Sequence, residues 1–193
     1  LKVHKGLAEK LPFADESFMK KVEDRIIIPT IEGLKKDHIP YKGFIFIGLM
    51  ASDSPQGKEP HVIEYNVRMG DPETESVIPR IESDLIDLFE GVAKQNLSEK
   101  ELKISDKTAA TVMIVAGGYP GEYLKGKPIS GIENLKHSIA FHAGTELDNG
   151  VVKSNGGRVI AITSLQDNLF DAVQCATADA GRIYFDARYF RTD

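Results

Sequence analysis

Glu64, Asn66 and Arg68 stand at alternate positions in the string Val62–Glu73, VIEYNVRMGDPE. If Val62–Arg68 is a strand, side chains alternate between its faces, so these three share one face. Ile63, Tyr65 and Val67 then share the other and pack into the core. The first face presents a carboxylate, an amide oxygen and a guanidinium in a row. Carboxylate and amide oxygens are hard donors that suit magnesium, with phosphate oxygens completing its shell. An arginine two residues further on can fork onto a phosphate or a developing acyl phosphate. The same pattern also describes the wet face of an ordinary antiparallel sheet, and on its own it does not separate the two readings. Gly70, Asp71 and Pro72 break the strand. Glycine permits a tight turn and proline stiffens it, while Asp71 reads equally well as a turn cap.

The elements that must position these residues follow from periodicity. Asp15 is placed to cap a helix running to about Lys36, with Phe18, Val22, Ile26 and Ile27 near helical spacing and Pro29 marking a kink or restart. The dense apolar run Gly43–Met50 reads as a buried strand, Ala51–Pro60 as a hairpin loop, and His61–Arg68 as the returning strand. A helix is expected from about Pro79 to Lys94, and the polar stretch Asn96–Asp106 reads as a linker. After it the texture changes to short strands: Thr108–Ala116, Ser138–His142, Val151–Lys153 and Arg158–Ser164, then a helix from about Asn168 to Arg182. A domain boundary is therefore expected near residue 100.

The second half offers weaker chemistry. Asn155-Gly156-Gly157-Arg158 would let backbone N–H groups and one arginine approach a sugar phosphate, or it is a glycine hairpin leading into a strand. Ala116–Pro120 reads as a turn rather than a close-packed strand end near a nucleotide, His142 as a satisfied core residue of an apolar strand rather than a catalytic one, and Cys175 as inert helix packing.

Bulk composition narrows the function classes. The chain has 193 residues, 41% hydrophobic, with a net charge of -5. That is enough for one ordinary core or two small ones. The acidic balance argues against a general nucleic-acid binder but not against nucleotide binding, where a metal ion can bring positive charge. One cysteine excludes an internal disulfide and a cysteine-rich zinc site. No apolar run approaches a membrane span and no G-x-G-x-x-G follows a strand, so membrane and dinucleotide-binding readings drop out and a cytoplasmic location is expected.

VIEYNVRMGDPE resembles the signature of the phosphoribosylamine–glycine ligases (glycinamide ribonucleotide synthetases), typically V-I-E-[FY]-N-x-R-x-G-D-P-E. YKGFIFIGLM, Ser83–Leu85 (SDL), AGGYPGEY, FHAGT and NGGRV match further family motifs in the family's order, from roughly Pro12 to the C-terminus. The resemblance implies an α/β fold. Residues 13–98 would form the C-terminal lobe of an ATP-grasp fold (antiparallel sheet plus helices), and residues 99–193 a small β-rich C-terminal domain. It implies that Glu64 and Asn66 ligate the Mg2+ or Mn2+ that bridges ATP phosphates. It also implies that Arg68 supports phosphate or acyl-phosphate charge, and that Asp71 and Glu73 shape the substrate loop. Asn155, Gly156, Gly157 and Arg158 would meet phosphoribosylamine. The implied substrates are ATP, glycine and phosphoribosylamine, in purine synthesis.

The family chain is considerably longer at its N-terminal side, where its preATP-grasp domain and first ATP-grasp lobe lie. LKVHKGLAEK stands where a glycine-rich segment is expected, residues 1–12 stay unassigned, and Glu82 replaces a more neutral or basic residue. With one lobe missing, this chain alone is expected to be inactive or nearly so. Two rivals remain: another ATP-grasp carboxylate–amine ligase, against which GDPE and NGGRV argue, and a non-catalytic binding fragment that keeps the fold.

Overall fold

A computed structural model describes residues 14–192; the unassigned segment 1–12 lies outside the described residues. The chain forms two compact units. The first runs up to Gly70 and takes in Ile81–Ile104, and the second comprises Asp71–Arg80 and the chain from Ser105 onward. The chain therefore passes between units at 70/71, 80/81 and 104/105, where the sequence indicates one division near residue 100.

In the first unit, α1 (Glu16–Val22) runs through one π-helical stretch, Glu23–Ile27, into α2 (Ile28–Lys36). Asp15 caps α1 as expected, accepting from the Phe18 N–H at 2.8 Å. The wide turn lies just before Pro29, which sits in the first turn of α2 and has no N–H to donate. Strands β1 (Phe46–Ser54) and β2 (Gly57–Asn66) form an antiparallel hairpin. The expected ten-residue loop shrinks to Pro55 and Gln56. Ser52, Asp53, Lys58 and Glu59, turn-like in composition, are paired strand residues, and Gly57 takes the positive φ of +95. Phe18 and Val22 bury against Leu49 and Ala51 on one face of the hairpin.

Helix α4 (Leu85–Lys94) begins six residues later than expected. Asp84 fixes its start: its carboxylate accepts from the N–H groups of Ile86 and Asp87 at 2.8 and 3.2 Å. Asp84→Ala is expected to lower stability by about 1 kcal/mol, read from urea unfolding. The expected linker is not free. Leu97–Glu99 makes a 3-10 turn and Ile104 pairs with Ile81.

In the second unit, short α3 (Thr74–Val77) precedes β3 (Thr108–Val115). Strands β4 (Ser138–His142), β5 (Thr145–Asp148), β6 (Val151–Ser154) and β7 (Arg158–Gln166) follow. One antiparallel sheet has the order β3-β7-β4, and β5 and β6 form a separate hairpin. Central β7 is buried on both faces, with Val159, Ile160, Ala161 and Ile162 fully enclosed. Helix α5 (Leu169–Ala180), capped by Asn168, turns Ala172, Ala176 and Ala180 inward, and these small side chains let it lie close to the sheet. Strand β5 has no apolar alternation; TELD reads as loop, and only its pairing with β6 makes it a strand.

Candidate functional site

The Glu64–Asn66 pair is built on the end of β2. Glu64 pairs with Gly48 and Asn66 with Phe46 across the hairpin, so both side chains project from one face. The Asn66 amide donates to Glu64 Oε1 at 3.0 Å. A Cβ on Gly48 would meet Glu64 Cγ at 3.0 Å, so the glycine clears the space that the glutamate side chain crosses. Turning the Asn66 amide about its terminal bond would bring its oxygen beside the carboxylate, giving two oxygen donors side by side. Among the described residues no group of three or more histidine, cysteine, aspartate or glutamate side chains is disposed to hold a metal. A cation here would have two protein donors and take phosphate or water oxygens for the rest, which is how magnesium is usually held at nucleotide sites.

Two expectations for this strand are corrected. β2 ends at Asn66, so Arg68 lies beyond the alternation; its Nη1 donates to the Met69 carbonyl at 2.8 Å. Ile63, Tyr65 and Val67 are not core residues, being 62%, 50% and 75% exposed. The pairing shifts between Gly48 and Leu49, leaving Ile63 unpaired in a bulge, and a two-stranded sheet has too little cover for that face. Tyr65 meets α2 through its hydroxyl, 3.0 Å from Thr30 Oγ1.

Asp71 and Glu73, the other half of the signature, belong to the second unit. Glu73 occupies the N-cap position of α3, where its carbonyl accepts from the Ser76 and Val77 N–H groups and its side chain is exposed. Asp71 engages an arginine at the start of β7. Its carboxylate lies 3.1 Å from Arg158 Nη2, and its carbonyl accepts from Nη1 at 3.2 Å. The structure thus joins one signature residue to the NGGR turn 87 positions away.

The glycine motifs of the second unit converge on one another. Gly157 lies under Tyr119: a Cβ there would come within 2.2 Å of the ring and 3.1 Å of Tyr123. The Ala116 N–H donates to the Gly157 carbonyl, and the Asn155 N–H to the Gly144 carbonyl, both at 2.8 Å. Gly156 packs directly on the Gly144 backbone. AGGYP, FHAGT and NGGR are therefore three parts of one knot. Ala116–Tyr119 closes as the expected turn, whereas His142 is not a core residue: it is exposed on β4, its Nδ1 2.9 Å from Thr145 Oγ1. Taken singly, the motifs do not point to Tyr119, Tyr123 or Gly144; the recurrence of glycine in all three is the signal that could have found them. Among the described residues the N–H groups of Gly156 and Gly157 have no protein acceptor.

A groove of about 700 Å³ lies in the first unit, lined by Ile31, Leu34, Phe44, Ile47 and Val92 among others. Ile47 points opposite to Phe46 and Gly48, so the groove opens on the other face of the hairpin from Glu64 and Asn66.

Residues 5–74 match the family model described as Phosphoribosylglycinamide synthetase, ATP-grasp (A) domain, and residues 109–193 match that of its C domain. The chain belongs to the phosphoribosylglycinamide synthetase family. The bifunctional purine biosynthetic protein of Pichia angusta is 41% identical over 190 residues, 97% of this chain and 24% of that protein. The phosphoribosylamine–glycine ligase of Caldanaerobacter subterraneus is 36% identical over 182 residues, 94% of this chain and 43% of that one. The crystal structure of the Thermotoga maritima phosphoribosylamine–glycine ligase superposes with a TM-score of 0.76 at 28% identity, covering 93% of this chain and 43% of that one. The chain thus spans less than half the length of these relatives. Members of the phosphoribosylglycinamide synthetase family are ATP-grasp ligases of purine biosynthesis. No helix among the described residues is long and apolar enough to cross a membrane.

Proposed function

We propose that this chain supplies the metal-holding lobe (residues 13–98) and the C-terminal domain (residues 99–193) of a cytoplasmic ligase that joins glycine to 5-phosphoribosylamine. The reaction consumes ATP and yields glycinamide ribonucleotide, ADP and phosphate. A carboxylate oxygen of glycine attacks the γ-phosphorus, the bond to the ADP oxygen breaks, and glycyl phosphate forms. The amine of phosphoribosylamine then adds to the glycyl carbonyl, loses a proton and expels phosphate. The observation that carries this reading is the Glu64–Asn66 pair, held on one face of β2 over Gly48.

In this reading Glu64 and Asn66 hold Mg2+ or Mn2+, which when bound neutralises charge on the ATP phosphates. Arg68 carries part of the charge on the transferring phosphoryl group. Asp71 and Glu73 shape the substrate loop, and Asn155, Gly156, Gly157 and Arg158 receive the sugar phosphate. Members of this family act as longer chains, so the chain alone is expected to bind but not turn over. Calorimetric titration with Mg-ATP tests the lobe. Magnesium-dependent binding is expected in the wild type, with Glu64→Ala and Asn66→Ala each weakening it by at least about tenfold, the loss of one metal donor. Binding that ignores magnesium or survives both substitutions unchanged would remove the site from β2.

A further inference from the structure

The geometry points to Asp71 as the residue that positions Arg158 for an anionic substrate group. The inference rests on the reading that the NGGR turn receives the sugar phosphate, and adds how its arginine is aimed. Arg158 is the first residue of β7, and its side chain is 40% exposed. A guanidinium carries five N–H donors on a long flexible stem, and left alone it samples many directions. Here it is held at two points by a single residue, through the Asp71 carboxylate at 3.1 Å and the Asp71 carbonyl at 3.2 Å. Among the described residues its other N–H groups meet no acceptor. They lie one and two residues from the unengaged N–H groups of Gly156 and Gly157, so the turn offers main-chain donors and a charged fork together.

Asp71 exerts two effects of opposite sign. Its negative charge repels an arriving anion, while its grip removes the freedom Arg158 would otherwise lose on binding. The carboxylate is half exposed, so water and salt screen the repulsion. The orienting contact is short-range and directional, and half of it comes from a neutral carbonyl, so salt weakens it less than it weakens the longer-range repulsion. Positioning therefore wins, and removing the carboxylate's charge weakens anion binding even though the site becomes less negative.

The test is calorimetric titration of the chain with ribose 5-phosphate, with ribose as the control, in wild type, Asp71→Asn and Arg158→Gln. Thermal unfolding of each protein runs alongside. Ribose 5-phosphate is expected to bind the wild type and ribose not to. Arg158→Gln should abolish the signal, and Asp71→Asn should weaken it about tenfold with little change in unfolding midpoint, since half-exposed pairs add little stability. If Arg158→Gln abolishes binding while Asp71→Asn leaves it equal or tighter, the positioning role falls and the reading of the turn stands. A drop in midpoint with unchanged affinity would make Asp71 a tether only. If the wild type does not bind, or binds regardless of Arg158, the turn is not the sugar-phosphate site and the inference falls with it.

Discussion

Asp179→Ala is expected to lower the stability of the second unit by about 3 kcal/mol, since it deletes a buried acceptor that serves three donors at once. Asp179 is 1% exposed on the inner side of α5. Its carboxylate accepts from the His137 N–H at 2.8 Å, the Lys136 N–H at 3.2 Å and Arg182 Nε at 3.0 Å. It thus ties α5 to the segment that leads into β4. At roughly 4–8 °C per kcal/mol for a unit of this size, the unfolding midpoint should fall by more than about 10 °C. Asp179→Asn keeps one acceptor oxygen and should lose about half as much. Burial pushes the Asp179 carboxyl up, but hydrogen bonds from the His137 and Lys136 N–H groups and from Arg182 outweigh it and hold the group below its usual value. A depressed carboxylate contributes stability that is fully present above the unfolded value of about 3.9 and is lost as pH falls through the folded one. The difference between wild type and Asp179→Asn should therefore be constant near neutrality and shrink on acidification below about pH 4. A difference that grows with falling pH would contradict the assignment.

Gly144→Ala should be comparably damaging, for a steric reason. The added methyl would stand 2.5 Å from the Arg158 carbonyl oxygen, 2.7 Å from Gly156 Cα and 3.0 Å from Gly156 N. All three are backbone atoms, so no side chain can swing away and the turn itself must move. A loss of about 3 kcal/mol is expected, at the upper end for overpacking. Gly33→Ala is the internal control. Gly33 lies within α2, and a methyl added there would meet nothing within 4 Å, so alanine should stabilise by about 0.5–1 kcal/mol through helix propensity. Urea unfolding of the two variants should move in opposite directions. Equal effects would mean that the contact at Gly144 relaxes freely.

Local chemistry is legible in the sequence, and long-range partnership is not. The Asp15 cap, the β4 range and the shared face of Glu64 and Asn66 follow from spacing alone, because capping and alternation act within four residues. Alternation misleads at Ile63, where a bulge breaks the count, and at Arg68, which the strand does not reach. The polar stretch around Ser54 reads as loop because its strand pairing comes from the partner strand. β5 escapes notice for the same reason. No periodicity links Asp71 to Arg158 or Gly157 to Tyr119; those contacts exist only once the second unit has folded.

The interleaved path of the chain has a consequence for how this protein can be cut and recombined. The second unit is a discontinuous module: Asp71–Arg80 is donated from the middle of the first unit's sequence. A clone starting at Ser105 would keep the sheet and α5. It would leave behind Asp71, and with it the grip on Arg158, and also Ser76, whose hydroxyl sits 2.6 Å from that of Thr111. Cutting the gene near residue 100 would part the pieces of one body. Any exchange of this module between relatives has to carry two stretches of gene together, and that constrains the module to travel with the lobe into which it is threaded.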